Sequence, residues 1–218
     1  MKANYFALAR SVLMITAIAS LCHTVPAMAQ QNSFKFEISP FAAYRIGGQF
    51  DDKDGAGEFE LDESNAQGII LNGFVGPDAQ WEFFYANQDT EVDTRGLFVN
   101  DPQIDIDVEY YQFGGTYLFD GSNVRPFIAM TLGLTHFDPQ PADFRSESFF
   151  SASLGGGVQL NASGRLGVRL EARVFTTFLD NDSAIFCGST DGAGACLIHV
   201  DATILTQWEA RAGLVFRF

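Results

Sequence analysis

The last fifteen residues of the chain alternate between apolar and largely polar side chains. Apart from Thr206, the even positions are apolar: Ile204, Trp208, Ala210, Ala212, Leu214, Phe216 and Phe218. The odd positions carry the polar and charged side chains Gln207, Glu209, Arg211 and Arg217. A period of two is that of a β-strand, since a helix would scatter both sets around its circumference. The run far exceeds the roughly 5–6 residues of a typical soluble strand. It therefore predicts one long strand with an apolar face and a polar face.

Similar segments recur along the chain. Residues 165–179 repeat the pattern, with Arg169, Glu171 and Arg173 on the polar face. Eight strands are predicted in total, at 34–46, 61–75, 79–89, 103–119, 124–137, 147–160, 165–179 and 202–218. The second and fourth of these alternate poorly, which predicts a β-bulge in each that shifts the strand phase. Pro40 lacks an amide proton and predicts a local irregularity in the first strand.

The connections between these strands alternate in length. Short turns are predicted at 76–78, 120–123 and 161–164, and long polar loops at 47–60, 90–102, 138–146 and 180–201. This spacing is typical of an antiparallel up-and-down transmembrane β-barrel with both termini at the short-turn end. An even number of strands closes the sheet and leaves no backbone group unpaired in lipid. A soluble eight-stranded barrel with an apolar interior is the structural alternative, and the continuous charged face argues against it.

The N-terminus has the features of a secretory signal peptide. Lys2 and Arg10 precede an apolar stretch from Ser11 to Cys22, which is too short to span a bilayer. Ala27-Met28-Ala29 matches the small-x-small cleavage pattern, so residues 1–29 are predicted to be removed and residues 30–218 to form the barrel domain. A lipoprotein cut before Cys22 is the weaker alternative, because Leu21 is large for that site. The remaining 189 residues carry 27 acidic and 11 basic side chains, which argues against binding to nucleic acid.

The C-terminal residues carry a family resemblance. The stretch from Arg211 to Phe218 resembles the β-signal of outer-membrane barrels: a polar residue, a glycine two positions on, and aromatic residues at the third-last and last positions. The matching residues are Arg211, Gly213, Phe216 and Phe218. The chain resembles the small bacterial outer-membrane β-barrels of the OmpA/OmpX/OmpW-like group, and Phe36 to Gly48 resembles their first strands. The resemblance implies location in the outer membrane of a Gram-negative bacterium and recognition by the barrel-assembly machinery. It implies little about activity, because one architecture serves many functions.

The polar faces of the strands predict what fills the barrel. The residues expected to point inward are Lys35, Glu37, Arg45, Glu82, Arg125, Arg169, Glu171, Arg173, Glu209, Arg211 and Arg217. The interior of an eight-stranded barrel is only wide enough to be filled by side chains. Unpaired charges there would be costly, so we expect an ion-pair network containing Arg169, Glu171, Arg173, Glu209 and Arg211. Phe41, Phe84, Phe127 and Phe175 share this face and favour a plug over a pore.

Two further features of the predicted loops are candidate sites. Cys187 and Cys196 lie in the same predicted loop and, in an oxidising compartment, predict a disulfide rather than a metal site. The acidic first loop, from Asp51 to Glu58, does not match the EF-hand pattern, because Phe50 and Leu61 fall at ligand positions. No metal and no cofactor are predicted.

An enzyme would need a nucleophile and a base. The mature chain has two histidines, His136 and His199, and neither begins the His-x-Ser motif expected of a lipid A deacylase of this architecture. Ser146 or Ser148 could still approach His136 in the fold, so that class stays open.

These observations predict a monomeric, non-catalytic outer-membrane barrel with a filled lumen and a structural or surface-interaction role. The expected partners are outer-membrane lipid and lipopolysaccharide. The first alternative is a passive conduit for small hydrophobic molecules, which would need a lateral opening or an apolar upper cavity. The second alternative is a lipid A-modifying enzyme, which would need a His–Ser–acid cluster facing the lipid.

Overall fold

Long amphipathic strands account for most of the structure, a computed structural model that describes residues 35–51, 58–93, 103–140, 146–162, 164–179, 187–190, 193–196 and 204–218. In chain order the strands are β1 (Phe36–Gly47), β2 (Gln49–Asp51), β3 (Glu58–Glu60), β4 (Ser64–Phe74), β5 (Ala79–Asp93), β6 (Gln103–Leu118), β7 (Val124–Pro139), β8 (Glu147–Leu160), β9 (Leu166–Phe178), β10 (Cys187–Thr190), β11 (Ala193–Cys196) and β12 (Ile204–Arg217). All belong to one unit, Asn32–Phe218.

Eight of these strands form a closed antiparallel barrel in the order β1-β12-β9-β8-β7-β6-β5-β4. The remaining four form two short hairpins, β2 with β3 and β10 with β11. The predicted eight-stranded antiparallel barrel is confirmed, and each predicted strand overlaps one barrel strand. The predicted ends differ by up to four residues, as for β5, which continues to Asp93.

The two ends of the barrel differ in the length of their connections. Residues 75–78, 119–123 and 161–165 link neighbouring strands at one end, the turn end. The longer connections, with both short hairpins, lie at the other, the loop end. The first and last strands meet at the turn end, where the Lys35 amide donates to the Phe218 carbonyl at 2.6 Å. This is the arrangement that the loop lengths predicted.

The predicted bulges are absent from the second and fourth barrel strands. β4 pairs with β1 in one register from Phe36↔Gly73 to Arg45↔Ser64, and β6 pairs with β5 without a skipped residue. The alternation is hidden because the inward faces of these strands themselves carry large apolar side chains, Ile70 on β4 and Val108 and Tyr110 on β6. Apolar residues on both faces thus look like a change of phase in the sequence.

An irregularity does occur at Pro40. The β1–β12 register passes from Ile38↔Phe216 to Phe41↔Gly213 and leaves Ser39 and Pro40 without partners on β12. The register itself is unchanged across the gap. The missing amide proton of proline therefore interrupts the ladder without shifting the strand.

The two faces of the barrel wall have opposite character. Exposed and buried residues alternate along β1, β7, β9 and β12. The outward side chains are large and apolar, including Phe36, Ile38, Phe113, Ile128, Met130, Leu132, Leu154, Leu166, Trp208 and Leu214. Within the described residues, no helix is long and apolar enough to cross a membrane.

Candidate functional site

The interior of the barrel is the most polar buried region of the described chain. Nine charged side chains are buried there: Glu37, Arg45, Glu82, Arg169, Glu171, Arg173, Glu209, Arg211 and Arg217. Two others that were expected inside lie elsewhere. Lys35 is exposed at the turn end, and Arg125 forms a partly exposed ion pair with Asp78 at 2.9 Å. Both lie at the start of a strand. At a strand end, the alternation of polar and apolar residues no longer indicates that a side chain lies inside the barrel.

The centre of the lumen holds four charges that pair in a closed ring, here called the central ring. Arg169 contacts Glu171 at 2.8 Å and Glu82 at 2.9 Å. Arg173 contacts the other oxygen of each carboxylate, at 2.7 Å for Glu171 and 2.5 Å for Glu82. Each guanidinium thus bridges two carboxylates, which is the geometry in which buried charges compensate one another.

Arg211 extends the central ring toward the first strand. Its guanidinium lies 3.3 Å from Glu171 and 3.2 Å from Glu209, but without well-directed hydrogen bonds. The ring of Phe41 lies 4.9 Å from it and the ring of Phe84 4.6 Å. Aromatic faces attract cations, so they supply part of the stabilisation that hydrogen bonds do not.

The Glu209 side chain does not bind a partner on β9, the strand on which one was expected. It stands opposite Arg173 in the β9–β12 register, yet it binds Arg45, its register partner across the β1–β12 seam. Glu37 and Arg217 pair across the same seam near the turn end, at 2.6 Å. Two buried ion pairs therefore join the first and last strands of the barrel.

Four residues of this network, Glu37, Arg45, Glu82 and Arg217, were expected in the lumen but were not assigned to ion pairs by sequence reasoning. Glu82 lies on β5 and contacts arginines on β9 across the lumen, so no neighbouring-strand rule could identify it. Arg45 and Glu37 pair with the opposite end of the chain. The alternation of polar and apolar residues predicted that their side chains point inward. Their partners, however, depend on closure of the barrel.

Apolar and neutral polar side chains fill the rest of the lumen. Phe84 and Phe175 have ring centroids 5.6 Å apart, and Phe175 packs on Tyr110 at 4.5 Å. Toward the loop end the buried residues include many apolar side chains: Leu61, Ile106, Val108, Phe137, Phe149, Leu179 and Leu205. These side chains and the four inward phenylalanines pack inside the described barrel, and closure of the lumen along its length stays a prediction.

The C-terminal residues divide between the two faces of β12. Phe216 and Phe218 are exposed on the outward face, whereas Arg211 and Arg217 point into the lumen. Gly213 lies between Arg211 and Phe216 in the sequence. A Cβ at Gly213 would come within 2.8 Å of the Pro40 carbonyl oxygen and 3.0 Å of the Phe41 side chain. The aromatic rings of Phe216 and Phe218 are therefore exposed on the outer surface of the barrel.

We expect deletion of Phe218 to lower the yield of folded protein in outer-membrane fractions several-fold. The reason is that the β-signal prediction has the terminal aromatic ring recognised during assembly. The heat-modifiable folded species on cold SDS gels measures this. Val75→Ala, another exposed apolar side chain near the turn end, is the control and should leave the yield unchanged. Equal yields for all three proteins at low and high expression would contradict the assignment.

The two cysteines of the last connection lie on adjacent strands. Cys187 and Cys196 are direct partners in the β10–β11 register. The Cα atoms of such partners are about 4.5–5.5 Å apart, within the range that a disulfide can bridge. The backbone is therefore compatible with the predicted bridge, which stays a prediction.

Peptide mapping without reductant is expected to find Cys187 linked to Cys196 in protein isolated from membranes after acid quenching. Cys187→Ser should leave a free thiol at Cys196 without loss of the folded barrel, because the bridge restrains only the β10–β11 hairpin. Free thiols at both positions in the unaltered protein would exclude the bridge.

Beyond the apolar band, the outward faces of β5, β6 and β7 become acidic. Asp107 on β6 stands directly opposite Asp89 on β5 and Asp138 on β7, with Glu109 two residues along its own strand. The Gln140 side chain donates a hydrogen bond to Asp107. Burial and the facing carboxylates, chiefly Asp89, raise the pKa of Asp107 from 3.8 to about 6.

The raised pKa of Asp107 predicts that the stability of the barrel wall at the loop end depends on pH. Because the folded-state pKa lies above the unfolded value, protonation of Asp107 stabilises this wall below about pH 4, and the stabilisation is lost as the pH rises through about 6. A ¹³C titration of the Asp107 carboxyl should show a midpoint near 6, and Asp89→Asn should lower it. A midpoint near 4 in the unaltered protein would contradict the facing-carboxylate arrangement.

A serine and a histidine also meet on the outward surface. His136 Nδ1 lies 2.8 Å from Ser148 Oγ across the β7–β8 pair. On the other side of β7, Glu109 is the register partner of His136. The sequence left this approach open for Ser146 or Ser148, and the structure selects Ser148. His199 lies outside the described residues.

Comparisons with known proteins agree with this architecture. The model of the outer membrane protein beta-barrel domain family matches residues 15–201. The crystal structure of Neisserial surface protein A (NspA) is similar with a TM-score of 0.57 at 14% identity, covering 84% of this chain and 97% of that one. The outer membrane protein OprG from Pseudomonas aeruginosa is similar with a TM-score of 0.56 at 14% identity, covering 85% and 96%. These likenesses show the fold alone.

A search of curated protein sequences found no significant match. The family model covers most of the chain, and eight of the described strands form a closed barrel with an apolar outer face. The chain therefore belongs to the outer membrane protein β-barrel domain family.

Proposed function

We propose that this outer-membrane barrel is a structural and surface-interaction protein whose lumen takes no part in transport or catalysis. The observation that supports the proposal is the central ring of Glu82, Arg169, Glu171 and Arg173, whose side chains are at most 1% exposed. Ion pairs of this kind are expected in an interior closed to water, where charged groups need partners. In a hydrated channel, the same charged groups would be exposed to solvent. Phe127 and Phe84 pack on the guanidinium groups of Arg169 and Arg173, which supports a filled lumen.

The surface role is supported by the outer face at the loop end. The outward residues beyond the apolar band are mostly acidic, Asp89, Glu91, Asp105, Asp107 and Asp138, and they stand on strands that extend past that band. Such a face lies where lipopolysaccharide headgroups and external molecules can be reached. In this proposal the mature chain begins at Gln30, is assembled by the barrel-assembly machinery, and functions as a monomer.

Planar-bilayer recording tests whether the lumen is closed. The refolded barrel should give no stable conductance steps, although its insertion is verified by heat modifiability and a porin added to the same bilayer conducts. Stable ohmic steps that respond to Arg173→Ala, and not to the exposed Asp78→Ala, would overturn the proposal and assign transport to the lumen.

A passive conduit for small hydrophobic molecules is the second candidate, because one observation favours it. The gap in the β1–β12 ladder at Ser39 and Pro40 coincides with an outward apolar groove of about 380 Å³. The residues that line it are Pro40, Phe41, Ala42, Val168, Ala212, Gly213 and Leu214. Phe41 belongs to the lumen, so the wall is thin at this point.

Uptake of a hydrophobic fluorescent probe into proteoliposomes distinguishes the two candidates. If the groove is a lateral entrance, Ala42→Phe should fill it and abolish uptake, while Ala172→Phe on the outward face of β9 should have no effect. The structural proposal expects uptake equal to that of protein-free liposomes in all three cases.

A further inference from the structure

One row of polar residues crosses three neighbouring strands on the outer face of the barrel. It runs from Glu109 on β6 through His136 on β7 to Ser148 on β8, each residue directly opposite the next. Ser148 is exposed and His136 is half-buried, so both are accessible from outside the barrel. This row lies on the opposite side of the wall from the lumen network.

The contact within the row is one that acyl-transfer chemistry requires. The Ser148 hydroxyl and His136 Nδ1 are 2.8 Å apart, a distance at which the imidazole can accept the hydroxyl proton. The Glu109 carboxylate stands on the other side of His136 and accepts hydrogen bonds from Tyr85 at 2.7 Å and Tyr111 at 3.0 Å. Glu109 is thus the register neighbour of His136, with its carboxylate oriented by two tyrosines.

The position of the row defines the kind of substrate that could reach it. On the outward faces, Leu134 is the residue before His136 and Phe150 the residue after Ser148, and both are half exposed. Two residues along a strand span about 7 Å. The Ser148–His136 pair therefore lies immediately beyond the apolar band, at the depth where acyl chains of a lipid end and their ester groups begin.

We propose that Ser148 and His136 form a nucleophile–base pair that hydrolyses fatty-acyl esters of lipids in the outer leaflet. The activity goes beyond the structural role and does not depend on it, because the pair lies outside the lumen. The expectation of a non-catalytic chain would then apply to the lumen alone.

The reaction proceeds in two balanced steps. Ser148 Oγ attacks the ester carbonyl carbon and gives its proton to His136 Nδ1. The bond from that carbon to the alcohol oxygen breaks, and the leaving oxygen takes the proton from His136. Water then attacks the acyl-serine with His136 as base, which releases a fatty acid and restores the Ser148 hydroxyl.

The test uses the full mature barrel refolded into two kinds of vesicle, one of glycerophospholipid and one that also contains lipid A. Mass spectrometry measures the fatty acid released over time, and a fluorophosphonate probe measures labelling of Ser148. Release from both vesicles would show a general lipid esterase, and release only from the second would assign the ester of lipid A. Both outcomes support the inference.

Three variants connect the activity to these residues. Ser148→Ala should abolish labelling and release, and His136→Ala should lower release about 100-fold or more. Ser146→Ala, an exposed serine two residues away on the same side, should release fatty acid at the unaltered rate. Heat modifiability checks that all three variants are folded.

Release no greater than that of Ser148→Ala from either vesicle, together with no labelling of Ser148, would overturn the inference. The structural proposal would survive that outcome, because it is tested by conductance and not by lipid release. Conversely, conductance through the lumen would overturn the structural role and leave the esterase result standing.

Discussion

Replacement of Glu171 by alanine is expected to lower the free energy of unfolding of the barrel by about 3–5 kcal/mol. Glu171 contacts Arg169, Arg173 and Arg211, all buried, so its removal leaves three guanidinium groups with fewer counter-charges in a closed interior. Urea unfolding of the barrel in lipid vesicles, followed by tryptophan fluorescence, measures the loss.

A partly exposed ion pair provides the matched control. Asp78 pairs with Arg125 at the turn end, and its side chain is 37% exposed. Asp78→Ala should cost about 0–1 kcal/mol, because solvent screens the pair and hydrates the remaining arginine. The comparison therefore separates burial from the mere presence of an ion pair.

The double variant Glu171→Ala/Arg211→Ala should recover part of the loss, because it removes one of the three buried positive charges. Recovery should be incomplete, since Arg169 and Arg173 still share Glu82 alone. If Glu171→Ala costs no more than Asp78→Ala, water fills the lumen and screens its charges, and the closed-lumen proposal fails.

Replacement of Gly157 by alanine is expected to cost about 3 kcal/mol, the upper part of the range for overpacked sites. A Cβ at Gly157 would clash with the Leu170 carbonyl oxygen and would lie 2.8 Å from the Glu171 Cα. Both are backbone atoms of β9, so the neighbouring strand itself would have to move. The same urea unfolding measurement applies.

The adjacent glycine is the control for this change. A Cβ at Gly156 points outward and meets only the Phe127 carbonyl oxygen, at 3.5 Å, an ordinary contact. Gly156→Ala should therefore leave the stability within about 0.5 kcal/mol. Equal stability of the two variants would show that β8 and β9 do not approach as closely as the structure indicates.

The sequence predicted the fold more completely than the site. Each barrel strand could be located because long period-two alternation and turn residues are local properties. The errors fell at β4 and β6, where Ile70, Val108 and Tyr110 place apolar side chains in the lumen as well. Alternation identifies the two faces of a strand only where those faces differ in polarity.

The charges of the lumen were placed by the same alternation, but their partners were not. Arg211 does meet Glu171, its opposite residue on the neighbouring strand, as cross-strand pairing suggests. Glu209 does not take the corresponding partner and binds Arg45 instead. Register alone cannot choose between two arginines that are both within reach of one carboxylate.

By itself, the sequence determined the strand positions, the inward set of charges and the apolar outer face, because each follows from the order of neighbouring residues. Only the tertiary structure decided which of these groups meet. Glu82 binds Arg169 and Arg173, which are 87 and 91 residues away, because closure of the sheet brings β5 and β9 to opposite sides of one narrow lumen. The Ser148–His136 contact likewise required the β7–β8 register, which depends on how two strands pair.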